Sequence, residues 1–513
     1  MSIRATLRRM RLSVALAASA AVITCALPAL ANGRFPASNQ FLFSPSNPDV
    51  IWLRATYGIL PSTDNGASWA YLCEDVIGLL SAGGSGYEDP ALGMMANGNV
   101  IATDSLGLNV SSDMGCDWTC TGNGNSALKG QSFIDLAVFP SDASKAVALT
   151  STYITNDSST SDTYAQVFET TDNGATWAAV GPPIDPSVNV QTIDVPNSDP
   201  SRIYVSGTRG YGLAKTASLF MYTTASGSNG PWVEQLITPF DNTTEDSVYI
   251  AAVDPNDADL VYLRSSGLAT GGQSRLYVTS DASSDAGAVF NVPQSASFDV
   301  PEAGYAIVGE LQGFALSQDG TKVYVGTKES GLWMASASDL QFEQTNSKIH
   351  VECLATRPGS SNELWACSDA VSGFVAGVST DDGATFTSKL CSVTGMTGVV
   401  ACPANPSGPV GCAADGNAAA VCMDSYNTVC LLDSLDSECT PCSEEGGASS
   451  SGGGGSSSGG SSSGGATSSG APTKAKSSSC GFSAGDSGGT GGALGGLLLT
   501  GLALVRRRGR GLR

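Results

Sequence analysis

Short apolar runs separated by turn residues dominate the chain between residues 34 and 391. The runs are rich in β-branched residues and follow Pro, Asn, Asp or Gly turns, a pattern typical of β-strands. One strand of this type recurs about every fifty residues, with anchors at Val50, Val100, Val147, Ile203, Val261, Val323 and Leu364. No segment between residues 34 and 440 keeps an apolar period of 3.6 residues, so the pattern predicts sheets rather than helices.

An octet accompanies these strands: hydroxyl, any residue, Asp, any residue, Gly, any residue, a small polar residue, aromatic. It stands at residues 62–69, 111–118, 170–177 and 379–386, and degenerate copies stand at 223–232, 279–290 and 336–342. The hydroxyl and the Asp can accept backbone hydrogen bonds, the Gly can adopt positive φ, and the aromatic residue can pack in the core. We therefore predict a turn between antiparallel strands, with these structural residues: Asp64, Gly66, Trp69, Asp113, Gly115, Trp118, Asp172, Gly174, Trp177, Asp381, Gly383 and Phe386.

Seven units of this kind cover residues 34–391, and each is long enough for a four-stranded blade. The expected fold class is all-β, a seven-bladed β-propeller, with six or eight blades as the alternatives. A β-sandwich with accidental turn similarity is the competing fold. The octet resembles the Asp-box, or bacterial neuraminidase, repeat of sialidases, sortilin and xyloglucanase-type propellers. The resemblance implies that the box lies on the outer rim of a blade and has a structural role.

Both ends of the chain have the composition of targeting segments. Residues 1–31 combine arginines, an apolar run and the sequence Ala-Leu-Ala, which predicts a secretory signal cleaved after Ala31. A lipoprotein signal ending at Cys25 is the alternative. Residues 443–479 are almost wholly Ser and Gly, the composition of a disordered linker.

The last segment, residues 480–513, contains Cys480, a short apolar stretch predicted as a helix over 491–505, and an Arg tail. This order resembles the MYXO-CTERM sorting signal. The resemblance implies transient insertion in the inner membrane, cutting by a sorting protease at Cys480, and display on the outer surface of, or secretion from, a myxobacterium-like Gram-negative cell. A single-pass tail anchor is the alternative.

The charge balance narrows the choice of partners. The chain has 25 basic and 47 acidic residues; nine arginines and Asp486 belong to the terminal segments, which leaves the exported body at −30. A body this acidic is repelled by phosphate backbones and anionic lipid, so we expect no nucleic-acid partner. No cofactor is predicted beyond Ca²⁺ as a minor ligand of Asp254, Asp257 and Asp259, and these residues equally suit an ordinary turn.

The cysteines predict disulfide bonds. The chain has 14 cysteines, and without Cys25 and Cys480 an even number remains in an exported body. Seven of them lie between residues 391 and 442, which predicts a Cys-rich module or cap over 392–442. Zinc at Cys439 and Cys442 is the alternative, which the single histidine of the chain disfavours.

Catalytic motifs are scarce. His350 is the only histidine, and no G-x-S-x-G sequence accompanies it, which argues against a catalytic triad. Sialidases carry an F/Y-R-I-P motif, and the nearest match here is Arg34-Phe35-Pro36, in the wrong order. No metal ligand is therefore assigned, and no catalytic residue is assigned from a motif.

Polar residues recur about twelve positions before most strand anchors, where the innermost strand of a blade is expected. The candidate ligand-binding residues at the propeller mouth are Glu88, Asp135, Gln191, Tyr249, Gln312 and Glu352. We predict non-catalytic binding of a protein or glycan ligand. The alternative is a glycoside hydrolase, xyloglucanase-type or less readily a sialidase, with an acid–base pair among Glu88, Asp135 and Glu352. A third explanation is that these residues are polar only because they line a water-filled channel.

Overall fold

The fold consists of seven antiparallel sheets, as the spacing of strands and turns predicts. The computed structural model describes residues 38–77, 90–104, 107–121, 128, 131–155, 161–227, 230–268, 274–293, 309–392, 395–402, 422–423 and 426–427. Ala31, Glu88, Cys480, the linker, the apolar stretch 491–505 and the Arg tail lie outside these residues. None of the helical segments in the described part has the length and apolar character that crossing a membrane requires.

Each blade is a meander in which consecutive strands pair, except that in blade 3 both β9 and β10 pair with β11. Blade 1 contains β1 (Ser38–Phe43), β2 (Ile51–Ala55) and β3 (Gly58–Ser62); blade 2 contains β4 (Leu92–Met94), β5 (Val100–Asp104), β6 (Gly107–Ser111) and β7 (Thr119–Cys120). Blade 3 contains β8 (Phe133–Val138), β9 (Ala146–Thr150), β10 (Thr152–Thr155), β11 (Ser161–Thr170) and β12 (Ala178–Ile184). Blade 4 contains β13 (Val188–Asp194), β14 (Arg202–Arg209), β15 (Thr216–Thr223) and β16 (Val233–Leu236).

The remaining three blades repeat the pattern. Blade 5 contains β17 (Glu245–Val253), β18 (Val261–Gly267) and β19 (Leu276–Thr279); blade 6 contains β20 (Leu311–Leu316), β21 (Lys322–Thr327), β22 (Gly331–Ser336) and β23 (Glu343–Asn346). Blade 7 contains β24 (Cys353–Thr356), β25 (Leu364–Cys367), β26 (Ala376–Ser379) and β27 (Thr387–Leu390). Short 3-10 helices lie at Glu74–Val76, Gly212–Ala214, Thr224–Ser226 and Ala370–Ser372.

The second strand of a blade is its most apolar element because neighbouring blades cover both of its faces. Every residue of β9 and every residue of β25 is buried. A strand covered on both faces has no solvent side for polar residues, which explains the continuous apolar runs at the sequence anchors. Fully burying one such Val or Leu side chain contributes about 1.5–3 kcal/mol.

The blades follow one another around a closed ring. Each innermost strand contacts that of the next blade in the order β1, β4, β8, β13, β17, β20 and β24, and β24 contacts β1. At this closing interface the Trp365 ring lies 5.4 Å from that of Phe41 and 5.8 Å from that of Phe43, measured between centroids. The Arg357 guanidinium donates to Asn65 Oδ1 at 2.6 Å and also to Pro48 O, so polar bonds supplement the aromatic packing.

The segment that follows blade 7 returns to blades 1 and 2. We call residues 395–402 together with Cys422 the closing segment. Within it, Thr397 N donates to Trp69 O at 2.8 Å, and Val399 forms a parallel bridge with Tyr71 of blade 1. Because this segment extends the outer edge of blade 1, it ties the end of the ring to its beginning.

Disulfide bonds make this closure covalent. Cys73 bonds Cys422 and Cys116 bonds Cys402, across sequence separations of 349 and 286 residues. A third bond, Cys353–Cys367, joins β24 to β25 within blade 7, and Cys120 and Cys391 are disulfide-bonded as well. The predicted use of cysteine in disulfides is confirmed for these residues, whereas Cys439 and Cys442 lie outside the described part of the chain.

Strand direction divides the loops between two faces. Consecutive strands are antiparallel, so the loops between second and third strands and those between blades lie at one end, which we call the upper face. The loops between first and second strands and between third and fourth strands lie at the opposite end, the lower face. Each octet follows the third strand of its blade or, in blade 3, the equivalent strand β11. These strands end at Ser62, Ser111, Thr170 and Ser379, so all four octets lie on the lower face.

Within an octet, local hydrogen bonds shape the turn. Ser379 Oγ donates to Asp381 Oδ1 at 2.8 Å and accepts from the amide of Gly383 at 2.8 Å, and Asp381 Oδ1 also accepts from the amide of Thr385 at 2.9 Å. Asp382 and Gly383 adopt positive φ of 57° and 85°. This backbone conformation explains why the fifth residue of the octet is Gly. The same hydroxyl–Asp–Gly bonds recur around Asp64, Asp113 and Asp172.

The aromatic residue that ends an octet enters the interior of the blade. Trp69, Trp118 and Trp177 are buried, and Trp118 Nε1 donates to Gly115 O at 3.0 Å while Trp177 Nε1 donates to Gly174 O at 3.1 Å. Phe386 is half-buried and packs against Phe374 at a centroid distance of 5.4 Å.

Candidate functional site on the upper face

The polar residues predicted at the propeller mouth occupy the innermost strands or the loops before them. Asp135 lies on β8, Gln191 on β13, Tyr249 on β17 and Gln312 on β20, while Glu352 directly precedes β24. Their positions in the sheets are not all equivalent. Asp135 and Tyr249 pair with Leu149 and Arg264, each the fourth residue of its second strand, whereas Gln312 is the extra residue of a β-bulge.

Asp135 joins blade 3 to blade 4. Its Oδ1 accepts from the amide of Leu136 and its Oδ2 accepts from the amide of Ile193 on β13, both at 2.9 Å. Burial raises the pKa of Asp135 to about 7 from the ordinary 3.8, although the two amide bonds act in the opposite direction. Both oxygens therefore already accept backbone hydrogen bonds, one of them across the blade interface.

Asp194, which the sequence did not indicate as a site residue, forms an equivalent bridge between blades 4 and 5. Its Oδ1 accepts from the amide of Val195 at 2.8 Å, and its carboxylate also accepts from the amide of Val253 on β17. Burial raises the pKa of Asp194 to about 6. Thr192 acts similarly, since its Oγ1 accepts from the amide of Ile250 at 2.8 Å.

Tyr249 packs against a half-buried arginine. The Arg264 guanidinium carbon lies 4.7 Å from the centroid of the Tyr249 ring, and Arg264 Nη1 donates to Leu311 O of blade 6 at 3.2 Å. Burial lowers the pKa of Arg264. Arg54 holds the corresponding position in blade 1, where its Nη1 donates to Pro90 O at 2.6 Å. The two carbonyl contacts join neighbouring blades, whereas the cation–π contact orients Arg264 within blade 5.

The loops of blades 6 and 7 bring charged side chains together on the upper face. We call Lys328, His350, Glu352 and Asp369 the upper cluster; Lys328 lies between β21 and β22, Asp369 between β25 and β26, and the other two in the connection between the blades. Lys328 Nζ donates to Glu352 Oε1 at 2.8 Å, and this bond raises the pKa of Lys328. The Glu352 carboxylate is mostly buried, whereas nearly half of the Lys328 side chain is exposed.

The second half of the upper cluster is a His–Asp pair. His350 Nδ1 lies 2.8 Å from Asp369 Oδ2. Burial alone would raise the pKa of Asp369, but the hydrogen bonds from His350 and Ser372 lower it. The Ser372 hydroxyl donates to Asp369 Oδ1 at 3.0 Å and accepts from the backbone amide of His350 at 2.9 Å. It therefore braces the loop, and this is not the geometry in which a serine nucleophile faces the imidazole.

The upper cluster combines residues from three loops that are distant in sequence. The sequence predicts Glu352 as a ligand-binding residue, whereas His350 stands out there only as the single histidine. Lys328 and Asp369 carry no recognisable motif, since each follows the end of a second strand like many other polar residues. Of the three carboxylates predicted to include an acid–base pair, Asp135 belongs to blade 3 and Glu352 to blade 7. The third, Glu88, lies outside the described residues.

The aspartates considered for Ca²⁺ have other partners. Asp254 Oδ1 accepts from the amides of Asn256 and Asp257 at 2.8 and 3.1 Å, and Asp259 Oδ1 accepts from Arg202 Nη1 at 2.7 Å. Among the residues that the structure describes, no group of three or more His, Cys, Asp or Glu side chains converges as a metal site requires.

Neither a protein-family model nor a curated protein sequence matches the chain. Among solved structures, the chain is similar to YCF48 from Cyanidioschyzon merolae at 12% identity and a TM-score of 0.43, over 64% of this chain and 92% of that one. It is similar to the Niastella koreensis GH74 enzyme at 16% identity and a TM-score of 0.32, over 71% and 66% of the two chains. The Dos1 propeller matches at 13% identity and a TM-score of 0.40, over 67% and 81%. Sheet order and ring closure together define the chain as a seven-bladed β-propeller.

Proposed function

We propose that this protein is an exported propeller that binds a protein or glycan ligand on its upper face without catalysis. The proposal rests on one observation: the two candidate carboxylates that the structure describes already accept hydrogen bonds from other groups of the protein. Both oxygens of Asp135 accept backbone amides, and Glu352 accepts from Lys328. A general acid or a nucleophile must reach the substrate with a carboxylate oxygen, and these side chains instead hold the blades and loops in place.

The upper cluster supplies what ligand binding requires. Lys328 and His350 each expose more than a third of the side chain, while their carboxylate partners are more buried. The ammonium and imidazole groups are thus held in place by Glu352 and Asp369 and still reach solvent. Side chains oriented by a second residue bind hydroxyl, carbonyl or carboxylate groups with less loss of conformational entropy.

Glycoside hydrolysis, of the xyloglucanase type or less readily the sialidase type, is the second candidate, and one observation favours it. Asp135, with a pKa of about 7, would be protonated for part of the time at neutral pH, which is a property of a general acid. Asp194 lies close enough to raise that pKa further. A carboxyl group of this kind becomes catalytic only if a sugar displaces the amide of Ile193 from it.

Binding and turnover have to be measured on the same preparation. We expect retention on a glycan array, or capture of a surface protein, with no sugar released from xyloglucan or a sialylated oligosaccharide. Lys328→Ala should weaken binding at least about tenfold, whereas Lys145→Ala, on the lower-face turn before β9, should leave it unchanged. Sugar release that is abolished by Asp135→Asn or Glu352→Gln would replace the binding function with hydrolysis.

The same proposal includes export and display. The octet hydrogen bonds support assigning the turns to the Asp-box repeat, and the terminal segments support a signal peptide and a MYXO-CTERM-like sorting signal. Mass spectrometry of the mature protein should find a new N-terminus after Ala31 and nothing C-terminal to about Cys480. An intact Arg513 on the cell surface would contradict processing.

A further inference from the structure

The loop between β14 and β15 of blade 4 exposes two large apolar side chains. Tyr211 is 83% exposed and Leu213 is 79% exposed, and only one residue separates them. Single exposed apolar residues are common on protein surfaces, but two at the tip of one loop form a small protruding patch. The loop lies on the upper face, because it joins a second strand to a third.

The loop that carries this patch is held in shape from several sides. Lys215 N donates to Gly212 O at 3.0 Å and closes the 3-10 turn. From the connection between blades 4 and 5, Asn242 Nδ2 donates to Leu213 O at 2.8 Å and to Lys215 O at 3.2 Å. Gly210 and Gly212 adopt φ of 74° and 53°, so the backbone turns sharply on either side of Tyr211. Exposed apolar residues on a pre-ordered loop lose little entropy on binding.

Two ion pairs flank the patch, and in each pair the acidic side chain is more exposed than the basic one. Arg209, 25% exposed, pairs with Asp185, which is 55% exposed. Lys215, 17% exposed, pairs with Asp246, which is 48% exposed. The basic groups therefore lie underneath and the acidic groups face outward. A partner that covers Tyr211 and Leu213 meets negative charge around them, which favours positive charge on the partner's rim and opposes an anionic lipid surface.

We propose that this loop is a docking site for a protein that presents an apolar pocket flanked by Lys or Arg side chains. Tyr211 and Leu213 enter the pocket, and Asp185 and Asp246 contact its basic rim. Tyrosine is enriched among the residues that dominate binding energy at protein interfaces. The site is separate from the upper cluster, which belongs to blades 6 and 7, so it does not depend on the ligand proposed there.

Peptides selected on the purified protein from a random phage-displayed library provide the probe. We expect the peptides that bind to combine apolar residues with Lys or Arg, and their affinity to fall as salt rises. Tyr211→Ser together with Leu213→Ser should lower the affinity of these peptides for the protein at least tenfold, whereas Lys328→Ala should not change it. Val289→Ser is the matched control, since this exposed valine lies on the lower face of blade 5, and a circular-dichroism melt verifies that each variant is folded.

Three outcomes would overturn the proposal. Selected peptides that bind the double variant as well as the original protein would show that the loop is not a docking site. Sedimentation with phosphatidylglycerol vesicles that requires Tyr211 and Leu213 would assign the patch to a membrane surface instead. Dimerisation that the double variant abolishes, measured by analytical ultracentrifugation, would assign it to a second copy of this chain.

Discussion

Replacing Asp135 with Asn should change how the stability of the propeller depends on pH. Asp135 accepts one amide with each oxygen, from Leu136 and from Ile193 of the next blade. Asn offers one oxygen and one amide nitrogen, so one of these backbone N–H groups would face another donor. The loss of one hydrogen bond to the ionised carboxylate costs about 1–3 kcal/mol.

The carboxyl group of the original protein adds a contribution that depends on pH. Its folded-state pKa of about 7 lies above the ordinary value of 3.8, so the folded protein holds a proton that the unfolded chain releases. The resulting stabilisation is fully present below about pH 4 and is lost as the pH rises through about 7. Each pH unit within that window corresponds to about 1.4 kcal/mol, so roughly 2–3 kcal/mol disappears between pH 5 and pH 8.

Denaturant unfolding of both proteins at pH 5 and pH 8, with disulfides intact, tests this reasoning. We expect the stability of the original protein, relative to that of Asp135→Asn, to fall by about 2–3 kcal/mol between pH 5 and pH 8. Contributions of titrating groups that do not interact with Asp135 cancel in the difference between the two proteins. Asp285→Asn, in an exposed turn of blade 5, is the control and should show no such change. A difference that is the same at both pH values would refute the assignment of Asp135 as a half-buried, partly protonated bridge.

Two further predictions concern the octet turn and the closure of the ring. Gly383→Ala should cost about 1–3 kcal/mol more than Gly359→Ala, because a Cβ at Gly383 would lie 2.1 Å from Cδ2 of buried Leu332, whereas at Gly359, also at positive φ, no atom lies within 4 Å; equal losses in melting temperature would contradict this packing argument. Cys73→Ser with Cys422→Ser should lower the free energy of unfolding by about 4 kcal/mol. The Cys116–Cys402 bond remains in this variant, so the lost bond accounts only for an additional loop of 63 residues, the difference between the separations of 349 and 286 residues. An unchanged unfolding midpoint without reductant would count against this prediction.

The amino-acid sequence alone was sufficient for the repeat and for the class of fold. An octet closes its hydrogen bonds within a few residues, as between Ser379 and Gly383, so its chemistry is visible in one short string. The apolar run of a second strand is equally local, because both faces of that strand are covered wherever it stands in the ring. Seven such units predict a propeller before any contact between them is known.

The roles of individual polar residues were decided by tertiary structure. Asp135 and its amide partner Ile193 are 58 residues apart, and a β-bulge on β8 between Phe133 and Asp135 sets the position of its side chain. The pairing of Cys73 with Cys422 depends on where the chain returns after a full turn of the ring. The upper cluster likewise requires three separate loops to meet. Local hydrogen bonds and burial periodicity can be read along the chain, whereas contacts between blades depend on register and ring closure, which no single segment specifies.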